Sequence, residues 1–228
     1  MKMFTVAAFA VGLTIAGATG AGAAPIAGLF NTGVDATGFS TPQASHAVDL
    51  HWTLIDGPSM PNAYTGGTNG IFPIGPWLTE DSVSRWITPT ADASQSWDPG
   101  PADGVYHYTM IFTLPQISAA MFSGRYAVDN AVDRITLNGN TIGGPGGGFT
   151  AWTGFGATSG FTQGANTLTF TVRNFNQNGG NPSGLRVEFG SSDFTAGIPE
   201  PMTWALMIMG FGGVGAVLRR RRTAAVFA

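Results

Sequence analysis

Residues 135–142 read Ile-Thr-Leu-Asn-Gly-Asn-Thr-Ile. Two short alternating runs, Ile135-Thr136-Leu137 and Asn140-Thr141-Ile142, are separated by Asn138-Gly139 alone. Asn-Gly suits a two-residue type I′ turn, whose central positions both need positive φ, so the stretch predicts a β-hairpin. Working outward, Leu168, Phe170 and Val172 recur with period two, as do Leu185, Val187 and Phe189. Upstream, Tyr106, Tyr108, Met110, Phe112 and Leu114 form one apolar face of a strand over residues 105–114. Val48, Leu50, Trp52 and Leu54 alternate with Asp49, His51 and Thr53, which predicts a further half-buried strand with the first set inward. Between these runs lie loops rich in Gly, Pro, Asn and Ser, notably 143–148 and 174–184, and no helical period intervenes. Short strands, long turns and 34 glycines predict an all-β fold, an antiparallel β-sandwich or jelly roll.

Both ends read as targeting segments. Lys2, an apolar run over 4–15 and Ala21-Gly22-Ala23 make a signal peptide, residues 1–23, cut after Ala23 by signal peptidase once the Sec translocon has engaged it. At the other end, Pro199-Glu200-Pro201 precedes an apolar run over 202–218 and then Arg219, Arg220, Arg221 and Arg222, with a short cytoplasmic tail at 223–228. Seventeen residues in a helix span roughly 25 Å, near the lower limit for a transmembrane helix. The arginines would remain cytoplasmic and leave the preceding chain outside.

Pro199-Glu200-Pro201-Met202-Thr203-Trp204-Ala205, with the glycine-containing apolar run and arginine cluster that follow, resembles the PEP-CTERM sorting signal of Gram-negative bacteria over residues 199–222. The resemblance implies processing by an exosortase at Pro199, Glu200, Pro201, Trp204 and Ala205. It also implies an inner-membrane precursor that becomes a secreted protein of the cell surface, outer membrane or medium, in bacteria that make exopolysaccharide and biofilm. An ordinary C-terminal anchor is the competing reading.

Residues 24–198 remain as one domain long enough for its own core. It holds five of the nine arginines and no lysine, against thirteen acidic residues when Glu200 is counted with it, a net charge near −8. Such a surface argues against nucleic acid as a partner. With no cysteine, disulfides, thiol catalysis and cysteine-ligated metals are closed to it. The runs Tyr126-Ala127-Val128-Asp129-Asn130, residues 132–139, Gly164-Ala165-Asn166-Thr167-Leu168 and residues 181–187 resemble jelly-roll domains of the galactose-binding-like type. This resemblance implies a fold and carries no activity.

Candidate sites follow from residue type. A glycan would need aromatic faces with a few fixed polar groups, and Trp77, Trp97, Trp152 and Asn178 are candidate carbohydrate contacts; the competing role for these rings is core filling. Asp129 and Asp133 are candidate ligands for a structural calcium ion, competing with turn capping. His46, His51 and His107 have no metal-site spacing, and no nucleophile elbow, zincin or phosphate-loop motif occurs. Glu188, between Val187 and Phe189, reads as solvent-facing. These observations predict a non-enzymatic exported surface or extracellular-matrix protein associated with exopolysaccharide. A carbohydrate-binding module is the alternative and a secreted hydrolase the second.

Overall fold

The Asn138-Gly139 turn has φ of 51° and 82°, the two positive values that a type I′ hairpin requires. It lies within a computed structural model that describes residues 23–38, 43–56, 61–66, 75–92, 102–115, 117–175, 181–197, 206–215 and 219. Among the described residues eleven strands make one antiparallel sheet. In chain order they are β1 (Ala23–Ala24), β2 (Val48–Leu54), β3 (Asn62–Thr65), β4 (Ile87–Thr88), β5 (Gly104–Leu114) and β6 (Ile117–Asp129). Then come β7 (Ala131–Leu137), β8 (Asn140–Gly143), β9 (Thr153–Ala157), β10 (Gly164–Asn174) and β11 (Gly184–Ala196). The sheet runs β8-β7-β10-β5-β2-β3-β4-β11-β6-β9, with β1 added to β11, and its end strands β8 and β9 come close together.

The ribbon therefore nearly closes on itself, and its two halves face each other across one core. Phe112 of β5 meets Phe122 of β6 edge-on at 6.5 Å, and Phe155 of β9 meets Phe170 of β10 at 5.2 Å. Tyr106, Tyr108, Met110, Phe112 and Leu114 are all buried on one face of β5, as their alternation predicts. Each such side chain contributes about 2–3 kcal/mol by leaving water.

Two asparagines close one end of the domain. Asn166 Oδ1 accepts from Asn138 Nδ2 and from the Thr162 amide, both at 2.8 Å, while its Nδ2 donates to the carbonyls of Thr162 and Gly164. Asn138 in turn accepts from the Thr167 amide and donates to Gly160 O. The hairpin turn and the start of β10 are thus zipped together by side chains that no sheet ladder serves.

β2 departs from its expected phase. Trp52 and Leu54 are buried, but Val48 and Leu50 are 42% and 58% exposed and Asp49 is buried instead. The Asp49 carboxylate accepts three amides, from Gly33 at 2.6 Å, His51 at 2.8 Å and Trp52 at 2.7 Å. Those bonds pull Asp49 inward and shift the register between Val48 and Thr53. Burial pushes its carboxyl up, partly offset by the same amides.

The targeting segments are described only in part. Ala23, read from sequence as the last residue of the signal peptide, is the first residue of β1 and pairs with Thr195. Residues 206–215 are helical and every one is exposed. Among the described residues no helix is long and apolar enough to cross a membrane, so the transmembrane helix expected over 202–218 is seen only as this shorter piece. Ala21, the Pro199, Glu200, Pro201, Trp204 and Ala205 motif, and Arg220, Arg221 and Arg222 lie outside the described residues.

Candidate functional site

On the side of β6 and β11 that points away from the core, the rungs are Asp129–Gly184, Ala127–Arg186, Arg125–Glu188 and Ser123–Ser191. Residues 75–86 cover the first two. Trp77 packs on Gly184, where an added Cβ would come within 2.9 Å of the indole, and on Trp86 at 4.3 Å between ring centroids. With Ala127, Phe149 and Trp152 these rings make a small second core outside the sheet.

A charged network runs along the edge of that cover. Glu188 is buried, contrary to its expected solvent-facing position, because Ser84 and two arginines enclose it. Its Oε1 accepts from Ser84 Oγ at 2.7 Å and Arg186 Nη2 at 3.3 Å; its Oε2 accepts from Arg125 Nε at 2.8 Å and Nη2 at 2.6 Å. Arg186, 1% exposed, also donates Nε to Ser84 Oγ and Nη1 to Thr79 O, and pairs with Asp81 at 3.0 Å. Both guanidiniums approach the Trp152 ring, at 4.4 Å for Arg125 and 4.9 Å for Arg186. Cations over an indole face are favourable, more so when partly desolvated. Burial pushes Asp81 up, but the Val83 amide and Arg186 outweigh it and hold this carboxyl below the usual range. Glu80 is shifted the other way: burial raises it, and the Trp86 amide and Arg85 only partly compensate.

Beyond the cover the face opens. Ser123, Gly124, Arg125, Glu188, Phe189 and Gly190 line a trough of about 320 Å³. Ser123 and Ser191 are joined through their hydroxyls at 2.7 Å, and half of the Arg125 side chain, 51%, faces solvent. Three glycines of this face differ in their reason. At Gly124 a Cβ would strike Glu188 O at 2.6 Å, so packing demands glycine. At Gly154, opposite Arg125 on β9, the nearest atom would be 4.0 Å away, and at Gly190 it would be 3.8 Å. Neither has positive φ. Glycine in a strand costs stability, and where packing and positive φ do not require it, it leaves open space that a ligand or another backbone can approach.

The predicted contacts fall in different places. Trp152 stands beside the trough, although the two guanidiniums already occupy its surroundings. Trp77 is 6% exposed and inside the second core, so its ring offers no open face. Trp97 and Asn178 lie outside the described residues. Asp133 is held by Arg173 through two bonds, at 3.0 and 2.6 Å, and is not turned to a shared site with Asp129. Asp129 is buried with Oδ1 unpartnered; burial, offset in part by a hydrogen bond from Trp77, pushes its carboxyl up to about 6. Among the described residues no three His, Asp or Glu side chains gather as a metal site. Arg125, Arg186 and Ser84 were not singled out by sequence. The available signal was Arg186-x-Glu188 on the polar face of a strand, in a chain with only 10% charged residues.

No family model and no curated protein matches the chain. Among solved structures it is similar to a family 35 carbohydrate binding module from Clostridium thermocellum, at 16% identity and TM-score 0.27, covering 50% of this chain and 81% of that one. It is similar also to CBM35 from Paenibacillus barcinonensis, at 13% identity and TM-score 0.32, covering 62% and 94%. A third likeness, to the isomalto-dextranase of Arthrobacter globiformis T6 complexed with panose, has 16% identity and TM-score 0.33, and covers 68% of this chain but 24% of that one. Likenesses at these scores assign the chain to no family and no ligand.

Proposed function

We propose that this chain is an exported surface protein whose β-domain binds glycan without cleaving it, and so takes part in the exopolysaccharide layer. One observation carries the binding reading: a fixed Arg125–Glu188 rung borders an open trough and is flanked by Gly154 and Gly190, which packing does not explain. Sugar hydroxyls need directional donors and acceptors that are held in place before binding. Arg125 supplies free donors, the Ser123–Ser191 pair supplies hydroxyls, and Glu188 locks the guanidinium in its plane. Both Glu188 oxygens are already committed to cations and Ser84, which favours binding over acid–base chemistry. The jelly-roll reading draws support from the Asn138–Asn166 corner, where the two resembling motifs meet.

The test is retention of the full chain on the producing organism's own polysaccharide. At Gly154 an added Cβ meets nothing closer than 4.0 Å, so Gly154→Val is expected to fill space beside Arg125 and lower binding about tenfold while the thermal midpoint stays put. Unchanged retention would remove the trough from consideration.

Export and exosortase sorting rest on the residue pattern at 199–222, and the exposed apolar helix at 206–215, with Leu206, Ile208, Met209 and Phe211 each at least 65% exposed, supports a membrane destination before processing. Pro199→Ala with Glu200→Ala is expected to leave precursor in the inner membrane while the domain is still translocated. Normal processing of that double variant, read by intact mass, would reduce the C-terminus to a plain anchor.

A further inference from the structure

Gly190 occupies the irregular step of β11, between Phe189, paired with Gly124, and Ser191, paired with Ser123. Bulge glycines usually serve a left-handed backbone, but φ at Gly190 is not positive, so that reason is missing here. On one side of Gly190 lies the trough of Arg125 and Glu188. On the other lies a second concavity of about 400 Å³, between β11 and residues 25–30. That segment is tied to β11 at intervals, by the Ile26 amide to Ser192 Oγ at 3.1 Å and by the Phe189 amide to Asn31 Oδ1 at 2.8 Å. Phe189 and Gly190 are walls of both concavities, so the two adjoin along this step of β11. The two halves differ in chemistry. The first presents the Arg125 guanidinium and the Ser123 hydroxyl; the second presents Ile26, Leu29, Phe30 and the flank of Phe189.

We propose that the two concavities are consecutive subsites of one cleft crossing β11 at Gly190, which takes an internal stretch of an extended glycan. A hydroxylated sugar lies against Arg125 and Ser123, and a neighbouring sugar carrying an apolar substituent, such as an acyl group or a deoxy methyl, lies against Leu29 and Phe30. The inference rests on the glycan-binding reading and adds to it the length and the substitution of the ligand. Each half is of a size that suits one small-molecule group, and burying methyl carbons against Leu29 and Phe30 is favourable where a hydroxyl would lose its water partners.

The experiment uses the full chain in detergent, with acetylated glucomannan and the same polymer after alkaline deacetylation as probes. Wild type is expected to bind the acetylated polymer about tenfold more tightly, and Gly190→Leu to lose that preference together with most of the binding. Gly190→Ala, with a single methyl on the saddle, should lie between them and guards against an unfolded leucine variant. If Gly154→Val abolishes binding while Gly190→Leu and deacetylation change nothing, the second subsite is overturned and the glycan reading stands. If wild type binds neither probe nor the organism's own polysaccharide, both are overturned.

Discussion

Asn138 and Asn166 lock one corner of the domain; Arg186 and Glu188 lock its outer face. Asn166, Arg186 and Glu188 are buried and Asn138 is half-buried, all with hydrogen bonds made, yet the two pairs are built differently. The asparagines lie 28 residues apart and join two turns through neutral bonds to nearby backbone. The charged pair depends on Ser84, more than 100 residues away, and on the cover that carries it. A neutral corner of this kind can be rehydrated if one member is lost. A buried charge whose partner is removed has no such recourse, because ion desolvation costs several kcal/mol.

That contrast can be broken by measurement. Glu188→Ala leaves the 1% exposed Arg186 with Asp81 as its one remaining carboxylate and is expected to cost about 3 kcal/mol in urea denaturation, whereas Arg186→Met with Glu188→Leu together should recover much of it. If the single change costs no more than an exposed salt bridge, the outer face is not the demanding region. Asp129 sharpens the point, since it lies under the same cover with no cation among the influences on it. Its folded carboxyl, raised to about 6, lies above the ordinary 3.8. The folded state therefore holds this proton more tightly, so stability is fully present below about pH 4 and falls as pH rises through 6, by about 3 kcal/mol. Asp129→Asn should remove that decline; an identical pH profile in the variant would show that Asp129 is ionised at no cost. Asn166→Ala gives the smallest effect, about 2 kcal/mol, for the loss of several neutral bonds with partial rehydration of Asn138. A loss equal to that of Glu188→Ala would erase the distinction between the two regions.

The sequence was most legible where structure is local. Alternation along Tyr106 to Leu114 reports which side of a strand leaves water, and positive φ at Asn138 and Gly139 follows from the two residues themselves. It misled where a distant group reversed a local preference. Three amides drew Asp49 inside and turned Val48 and Leu50 out. Ser84 and the cover formed by residues 75–86 made Glu188 an interior residue, though its alternation is that of a surface position. The tryptophans divided for the same reason: Trp77 went under Trp86 and Phe149, while Trp152 stayed beside Arg125 at the trough.

By itself, then, the sequence determined an all-β antiparallel domain and the turn that pins its hairpin, because periodicity and turn chemistry act between near neighbours. It also carries the 199–222 pattern, whose meaning lies in residue order. Only the tertiary structure decided which charges are buried, which tryptophan lies against the arginines, and that an added Cβ at Gly154 or Gly190 would meet no close neighbour. Those properties belong to pairs of surfaces brought together by folding, and no single stretch of chain contains both.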